Sequence, residues 1–308
     1  MKSRPIEDTR LAGVIAAAVT PRRAGERQID LGATLELIDF LRAGGVQAIA
    51  LLGPIGEFVH FSLEDRRHMV HLAAKRSQLP LLVNCSHSTL DGSIELAREA
   101  AQSGVAGVML MPPIGFQYGR EAIHGFYLAF AEAVGNSSPI YLSDAPGFGT
   151  RLEPSLAAEL LATERFAGIE DSSGDPETLR LLAEATEGTK STLLAGQERG
   201  YAQMKRLGAN GLVSGVACAV PELMVALDQA LGGGNQERIA GLEARLTELL
   251  KWMDQFPLPA AAKEAVRQRG LHPGAFAAPL GQPEEQKLAR FGEWFRSWLP
   301  DVLRDCGA

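Results

Sequence analysis

Eight short apolar runs, separated by amphipathic stretches of helical length, predict an α/β chain: a single (β/α)8 TIM barrel with additional C-terminal helices. Several runs are unbroken rather than alternating, as in strands of a parallel sheet buried on both faces. The strand-helix units number eight. No Gly-x-Gly-x-x-Gly follows the first run, which sets the barrel ahead of the runner-up, an open doubly wound sheet.

In order, the runs occupy residues 13–19, 46–52, 79–84, 105–111, 139–143, 166–170, 192–195 and 211–214. Between the first two, residues 31–43 place Leu35, Ile38 and Leu41 on one side of a helix. The helix over 62–76 opens on Ser62 with Asp65 three residues later, an approximate capping box. Asp171, Ser172, Ser173 and Asp175 form a turn and N-cap, with Pro176 at the first helical position. Beyond the eighth run, residues 235–255 carry Ile239, Leu242, Leu246, Leu249 and Leu250 at helical spacing, and further helices follow over 258–269 and 284–303. Prolines 257, 259, 273, 279 and 283 punctuate the joins. Gly232, Gly233 and Gly234 read as a turn between helices, and no linker separates a second domain. The barrel is therefore assigned to 1–232, and 233–308 to a helical appendage packed on it within the same domain.

Hydrophobic residues make up 46% of the 308, enough for a large core. A net charge of −7 argues against a nucleic-acid or anionic-membrane partner, either of which favours a basic patch. The charged stretch 1–10 has no apolar signal core. Cys85, Cys218 and Cys306 are scattered without metal-ligand or disulfide spacing, which suits a reducing cytoplasm. The expected partner is a small molecule, and no cofactor is expected.

The most informative segment is Gly168-Ile169-Glu170-Asp171-Ser172-Ser173-Gly174-Asp175. It resembles the Gly-Ile-Lys-Asp-Ser-Ser-Gly-Asp segment of the dihydrodipicolinate synthase and N-acetylneuraminate lyase family. The likeness continues in Ala18-Val19-Thr20-Pro21, in Gly53-Pro54-Ile55-Gly56-Glu57 with Phe61 to Arg66, in Gly211 to Ser214 with Pro221-Glu222-Leu223, and from Ala262-Lys263 to Pro279-Leu280. It spans nearly the whole chain. The resemblance implies a barrel, a homo-oligomer (dimer or tetramer) and lyase or aldolase ancestry.

The departures from the family pattern gather at the chemistry. In the family, the lysine forms a Schiff base with a 2-oxo acid. Glu170 stands in its place, and a carboxylate cannot condense with a ketone. The paired threonines that bind the oxo-acid carboxylate become Pro54 and Ile55, and the proton-relaying tyrosine becomes Ser143. A carboxylate-binding arginine aligns with Phe148, with Arg151 three residues on as a partial substitute. The tyrosine pair after strand four aligns with Ile114 and Gly115, with Tyr118 nearby but out of register. Together these losses imply that the pocket does not run the ancestral reaction. None of the seven lysines (2, 75, 190, 205, 251, 263 and 287) maps to the C-terminal end of a strand, where barrel active sites sit.

On the barrel alignment, Glu170 points inward with Ser143 and Asp144 assisting. A substrate-binding set is formed by Ile55, Gly56, Asn84, His87, Phe148, Arg151, Gln197, Ser214 and Cys218. Ser86, Asp171 and Glu198 also fall at the mouth. Burial and neighbouring acids raise a carboxyl pKa, which suits Glu170 to acid/base work on a small carbonyl or carboxylate compound near neutral pH. The alternative is that Glu170 only hydrogen-bonds its neighbours, Ser143 among them. Glu170, Asp144 and His87 are the residues that could converge on a cation, but no spacing motif supports this and no metal is expected. Glu57 reads as a loop brace bonded to backbone N–H groups, and Cys218 as a packing residue. Pro54, Ile55 and Phe148 point to a ligand less acidic than pyruvate. The function readings are a divergent lyase or hydro-lyase, a non-catalytic binding or regulatory homologue, and a Schiff-base aldolase using another lysine.

Overall fold

The computed structural model describes residues 11–307 apart from Ala24 and Arg27. The stretch 1–10, read above as lacking a signal core, and Lys2 lie outside the described residues. The strands are β1 (Gly13–Ala17), β2 (Ala48–Leu51), β3 (Leu81–Asn84), β4 (Gly107–Leu110), β5 (Ile140–Asp144), β6 (Gly168–Asp171), β7 (Thr192–Ala195) and β8 (Gly211–Ser214). Each pairs in parallel with the next, and β8 pairs with β1 to close the barrel. The helices between them are α1 (Leu31–Ala43), α2 (Leu63–Arg76), α3 (Leu90–Gln102), α4 (Arg120–Val134), α5 (Pro154–Ala162), α6 (Pro176–Thr186) and α7 (Tyr201–Arg206), followed by α8 (Pro221–Gly233). The architecture is the (β/α)8 barrel the sequence predicts.

Strand side chains divide by the period-two rule. Ile15, Ala48, Ala50, Leu82, Met109, Tyr141, Leu194 and Val213 form an inner cluster that fills the barrel. Their neighbours in sequence, such as Val14, Ile49, Val83 and Leu142, join the larger core under the helices. Small residues on the inner face make room for large ones. A Cβ on Gly107 would sit 2.8 Å from Tyr141 Cε2, so the glycine admits the tyrosine ring. Helix starts follow the cap chemistry: the side chains of Asp30, Ser62, Thr89, Asp175 and Asn235 each accept a backbone N–H of the first turn. Of the three glycines read as a turn, Gly232 and Gly233 complete the last turn of α8, and Gly234 ends it at φ +70°.

The C-terminal helices are α9 (Gln236–Met253), α10 (Leu258–Gln268) and α11 (Gln282–Cys306). An aromatic cluster of Trp252, Phe256, Phe291, Trp294, Phe295 and Trp298 binds α9 to α11. Helix α10 packs against the short 3-10 turn Pro54–Gly56 after β2. Buried Lys263 on α10 pairs with Glu57, donates to Ala275 O at 2.8 Å, and so ties the appendage to that turn. Glu57 is the loop brace expected, and the N–H it accepts, at 2.7 Å, belongs to Ala277 in the distant α10–α11 connection. Among the described residues no helix is long and apolar enough to cross a membrane.

Candidate active site

Register places the site. Ser143 on β5 lies opposite Glu170 on β6, one step before the outward pair Asp144 and Asp171. Glu170 is buried, and its two oxygens have separate donors: Ser143 Oγ reaches Oε2 at 2.6 Å and Ser172 Oγ reaches Oε1 at 2.5 Å. Burial pushes the Glu170 carboxyl up to about 7; the serine donors oppose that rise, and the charges of Asp171 and Asp144 add to it. Ser172 Oγ also lies 3.1 Å from Gly196 O. The hydroxyl can donate to ionised Glu170. It can equally turn to the carbonyl and accept from the neutral acid. Both protonation states are therefore hydrogen-bonded.

Glu170 opens into a cavity of about 390 Å3 at the C-terminal end of the barrel. Of the residues that the sequence placed at the mouth, Ile55, Phe148, Gln197 and Glu198 line it. Gln197 donates to Ser172 O at 2.6 Å, and the Phe148 ring packs 5.8 Å from that of Phe58. The remaining candidates lie outside the lining. Asp144 accepts from Arg151 Nε at 2.7 Å and Leu152 N at 3.0 Å, so these two candidates hold each other and fix the loop after β5. Asp144 reaches Glu170 through its field and not through a hydrogen bond, because strand alternation turns it to the opposite face. Gly56 backs onto Thr20 Oγ1 and Ala18 O, where a Cβ would have 3.0 and 3.1 Å of space. Asn84 donates to Leu52 O at 2.7 Å and accepts from Ser86 Oγ at 2.7 Å, which stitches β3 to the end of β2. The His87 ring bonds Thr89 at the start of α3, and burial lowers its pKa. Ser214 donates to Glu198 Oε1 at 2.7 Å. Cys218 is fully buried, its sulfur accepting from Val19 N at 3.3 Å, and burial pushes its thiol up to about 12.

Sequence reasoning missed several contributors. Ser172, read as part of a turn, donates to Glu170; its position two residues on puts it on the same side of an extended chain, and that spacing was the available signal. Arg199 after β7 lines the cavity, with Leu250, Met253, Asp254, Phe256 and Leu258 from the α9–α10 junction. Only packing of the appendage reveals that second group. No lysine lines the cavity among the described residues: Lys263 is sealed on Glu57, and Lys205 pairs with Asp228 at 2.7 Å. Among the same residues no three His, Cys, Asp or Glu side chains are grouped to hold a metal, so Glu170, Asp144 and His87 do not assemble.

A closed eight-stranded barrel with its pocket at the strand C-termini and a C-terminal helical wall defines an α/β-barrel protein of the aldolase-lyase type. The chain belongs to the dihydrodipicolinate synthetase family, whose model matches residues 10–296. It is 29% identical over 290 residues to a 4-hydroxy-tetrahydrodipicolinate synthase of Archaeoglobus fulgidus, covering 92% of this chain and 97% of that one. A synthase of the same description from Methanosphaerula palustris is 27% identical over 287 residues, covering 91% and 97%. A solved catalytic-lysine mutant of Ruminococcus gnavus sialic acid aldolase superposes with a TM-score of 0.86, covering 98% of this chain and 100% of that one. At 22% identity that likeness is one of fold.

Proposed function

We propose that the chain is a divergent lyase or hydro-lyase acting on a small carbonyl compound, with Glu170 as its general acid/base in the place of the family's Schiff-base lysine. The observation that carries this reading is the buried Glu170 carboxyl. It faces the cavity, is poised at about 7, and is bonded to two serine hydroxyls. A group titrating near the working pH can take a proton and return it. As base, Glu170 removes the proton alpha to the substrate carbonyl. In a hydro-lyase step the electron pair forms the C=C bond as the β hydroxyl leaves, and the acid form of Glu170 supplies the proton that makes it water. Ser143 and Ser172 orient the carboxylate, and Ser172 shifts to Gly196 O when Glu170 holds the proton.

The chain is proposed not to make the family's covalent adduct. Borohydride with pyruvate and other 2-oxo acids, read by intact mass, should leave the protein unmodified; a trapped adduct would restore the aldolase reading. A metabolite screen comparing the native chain with Glu170→Gln tests the acid/base role. Turnover should fall at least ~100-fold in the variant, in line with general acid-base contributions, and equal turnover would defeat the assignment. Ligand binding with no turnover by the native chain would favour a binding or regulatory protein. A cytoplasmic homo-oligomer with barrel and appendage in one domain belongs to the same proposal; light scattering checks the assembly.

A further inference from the structure

The lining of the cavity combines apolar bulk with unbalanced acidity. Ile55, Phe148, Val213, Met253, Phe256 and Leu258 are among the apolar residues of its wall. Its ionisable lining groups are Glu170, Glu198, Asp254 and Arg199, three carboxyls against one guanidinium. That guanidinium is already engaged: Arg199 Nη1 donates to Asp254 Oδ1 at 3.0 Å, and Nη2 pairs with Oδ2. Arg151 is held by Asp144, and Lys263 by Glu57. With Asp254 neutralised by Arg199, a carboxylate entering here meets Glu198, and Glu170 when it is ionised, with no unpaired cation in the lining among the described residues. Coulomb repulsion in a partly desolvated cleft therefore selects against it.

The outer wall adds a second observation. Leu258, at the first turn of α10, lines the cavity yet keeps 56% of its surface exposed. A leucine in that position leaves apolar area that a ligand can cover. A cavity of about 390 Å3 is also far larger than pyruvate needs.

We infer that the pocket takes an uncharged carbonyl compound with an apolar tail, its carbonyl end at Glu170 and Ser172 and its tail against Met253, Phe256 and Leu258. This substrate class rests on the proposed acid/base role of Glu170 only for the position of the carbonyl end. Charge selection and the tail site stand on the lining itself, and binding reads them without turnover.

The test compares benzylacetone with benzylpyruvate, and acetone with pyruvate, by calorimetry or ligand-observed NMR on the full chain. Benzylacetone should bind about tenfold or more tighter than benzylpyruvate, a ratio that repulsion from one uncompensated charge supplies. It should also bind more tightly than acetone. Leu258→Ser, at an exposed position, should weaken benzylacetone severalfold and leave acetone unchanged. Asp254→Asn frees Arg199 and should strengthen benzylpyruvate severalfold. Benzylpyruvate binding as tightly as benzylacetone, no binding of either benzyl probe, or indifference of benzylacetone to the Leu258 change would each overturn the inference. In Glu170→Gln the preference for the neutral probe should persist, since Glu198 remains without a cation. A failed acid/base role thus leaves this result standing, and a failed preference leaves the acid/base role untouched.

Discussion

Ser143 Oγ donates to Glu170 Oε2 at 2.6 Å across the β5–β6 pair, in which the two residues are register partners. The bond forms because both positions face the barrel interior at the same height. It opposes the rise that burial imposes on the carboxyl.

The first prediction concerns pH. The folded chain holds the Glu170 proton up to about 7, whereas the ordinary glutamate value is 4.5. Between these values the native state binds more protons than the unfolded one, so its stability falls as pH rises. The Glu170 contribution is full below 4.5 and gone above about 7. Asp171, raised by burial from 3.8 to about 6, adds a slope of the same sign at lower pH. Urea unfolding at a series of pH values should show this decline. Glu170→Gln should flatten its upper part and leave the lower part due to Asp171. An unchanged profile would remove Glu170 as its source.

Removing the serine donor should act selectively on the ionised carboxyl. Ser143→Ala leaves Oε2 without its donor, and an unsatisfied buried acceptor costs about 1–3 kcal/mol. The loss should be larger at pH 8 than at pH 5, and the Glu170 titration, followed by carboxyl NMR, should move further above 7. Equal destabilisation at both pH values would show that the hydroxyl matters only for packing.

The two fully buried thiols should be inert. Burial pushes Cys85 and Cys218 up to about 12, so almost none of either is thiolate at pH 8. An aromatic disulfide reagent should leave both unlabelled in the native chain and label both in urea. Rapid native labelling of Cys218 would return it to the candidate site.

The sequence carried the barrel because its strands are short apolar runs bounded by caps, and both signals are local. Strands β7 and β8 were bounded to the residue, and β5 and β6 run one residue further than their apolar runs, to Asp144 and Asp171. Glu170 and Ser143 were legible because the resemblance aligns them with the family's lysine and tyrosine positions. The tie of Arg151 to Asp144 was not legible because the two lie seven residues apart across a loop. Leu250, Met253 and Leu258 were legible as helix or junction residues but not as cavity wall. Their place depends on how the appendage docks, which Glu57 and Lys263 fix across more than two hundred residues of sequence.

That docking pair yields a stability prediction. Lys263 is fully buried, with burial lowering its pKa and the charge of Glu57 opposing that shift. Lys263→Met leaves Glu57 buried beside no cation and Ala275 O without its donor, and breaking such a pair costs about 3–5 kcal/mol. Adding Glu57→Gln should recover a large part of that loss, since the amide oxygen still accepts from Ala277 N. Urea unfolding of the two single variants and the double variant measures the coupling; additive losses would show that the two residues act independently.

Gly196 gives the sharpest separation of site from scaffold. A Cβ there would overlap both Glu170 Oε1 and Ser172 Oγ, so Gly196→Ala must turn one or both side chains away from their present bond. Overpacking of this kind costs about 1–3 kcal/mol, which a large barrel survives. The chemistry should not survive it, because Glu170 loses the rotor that serves both of its protonation states. The variant should therefore fold and retain the circular-dichroism spectrum of the native chain. Its Glu170 titration should leave the neighbourhood of 7, and turnover should fall as far as in Glu170→Gln. A Gly196→Ala protein that keeps both the titration and the turnover would mean that the Ser172 contact has no part in catalysis.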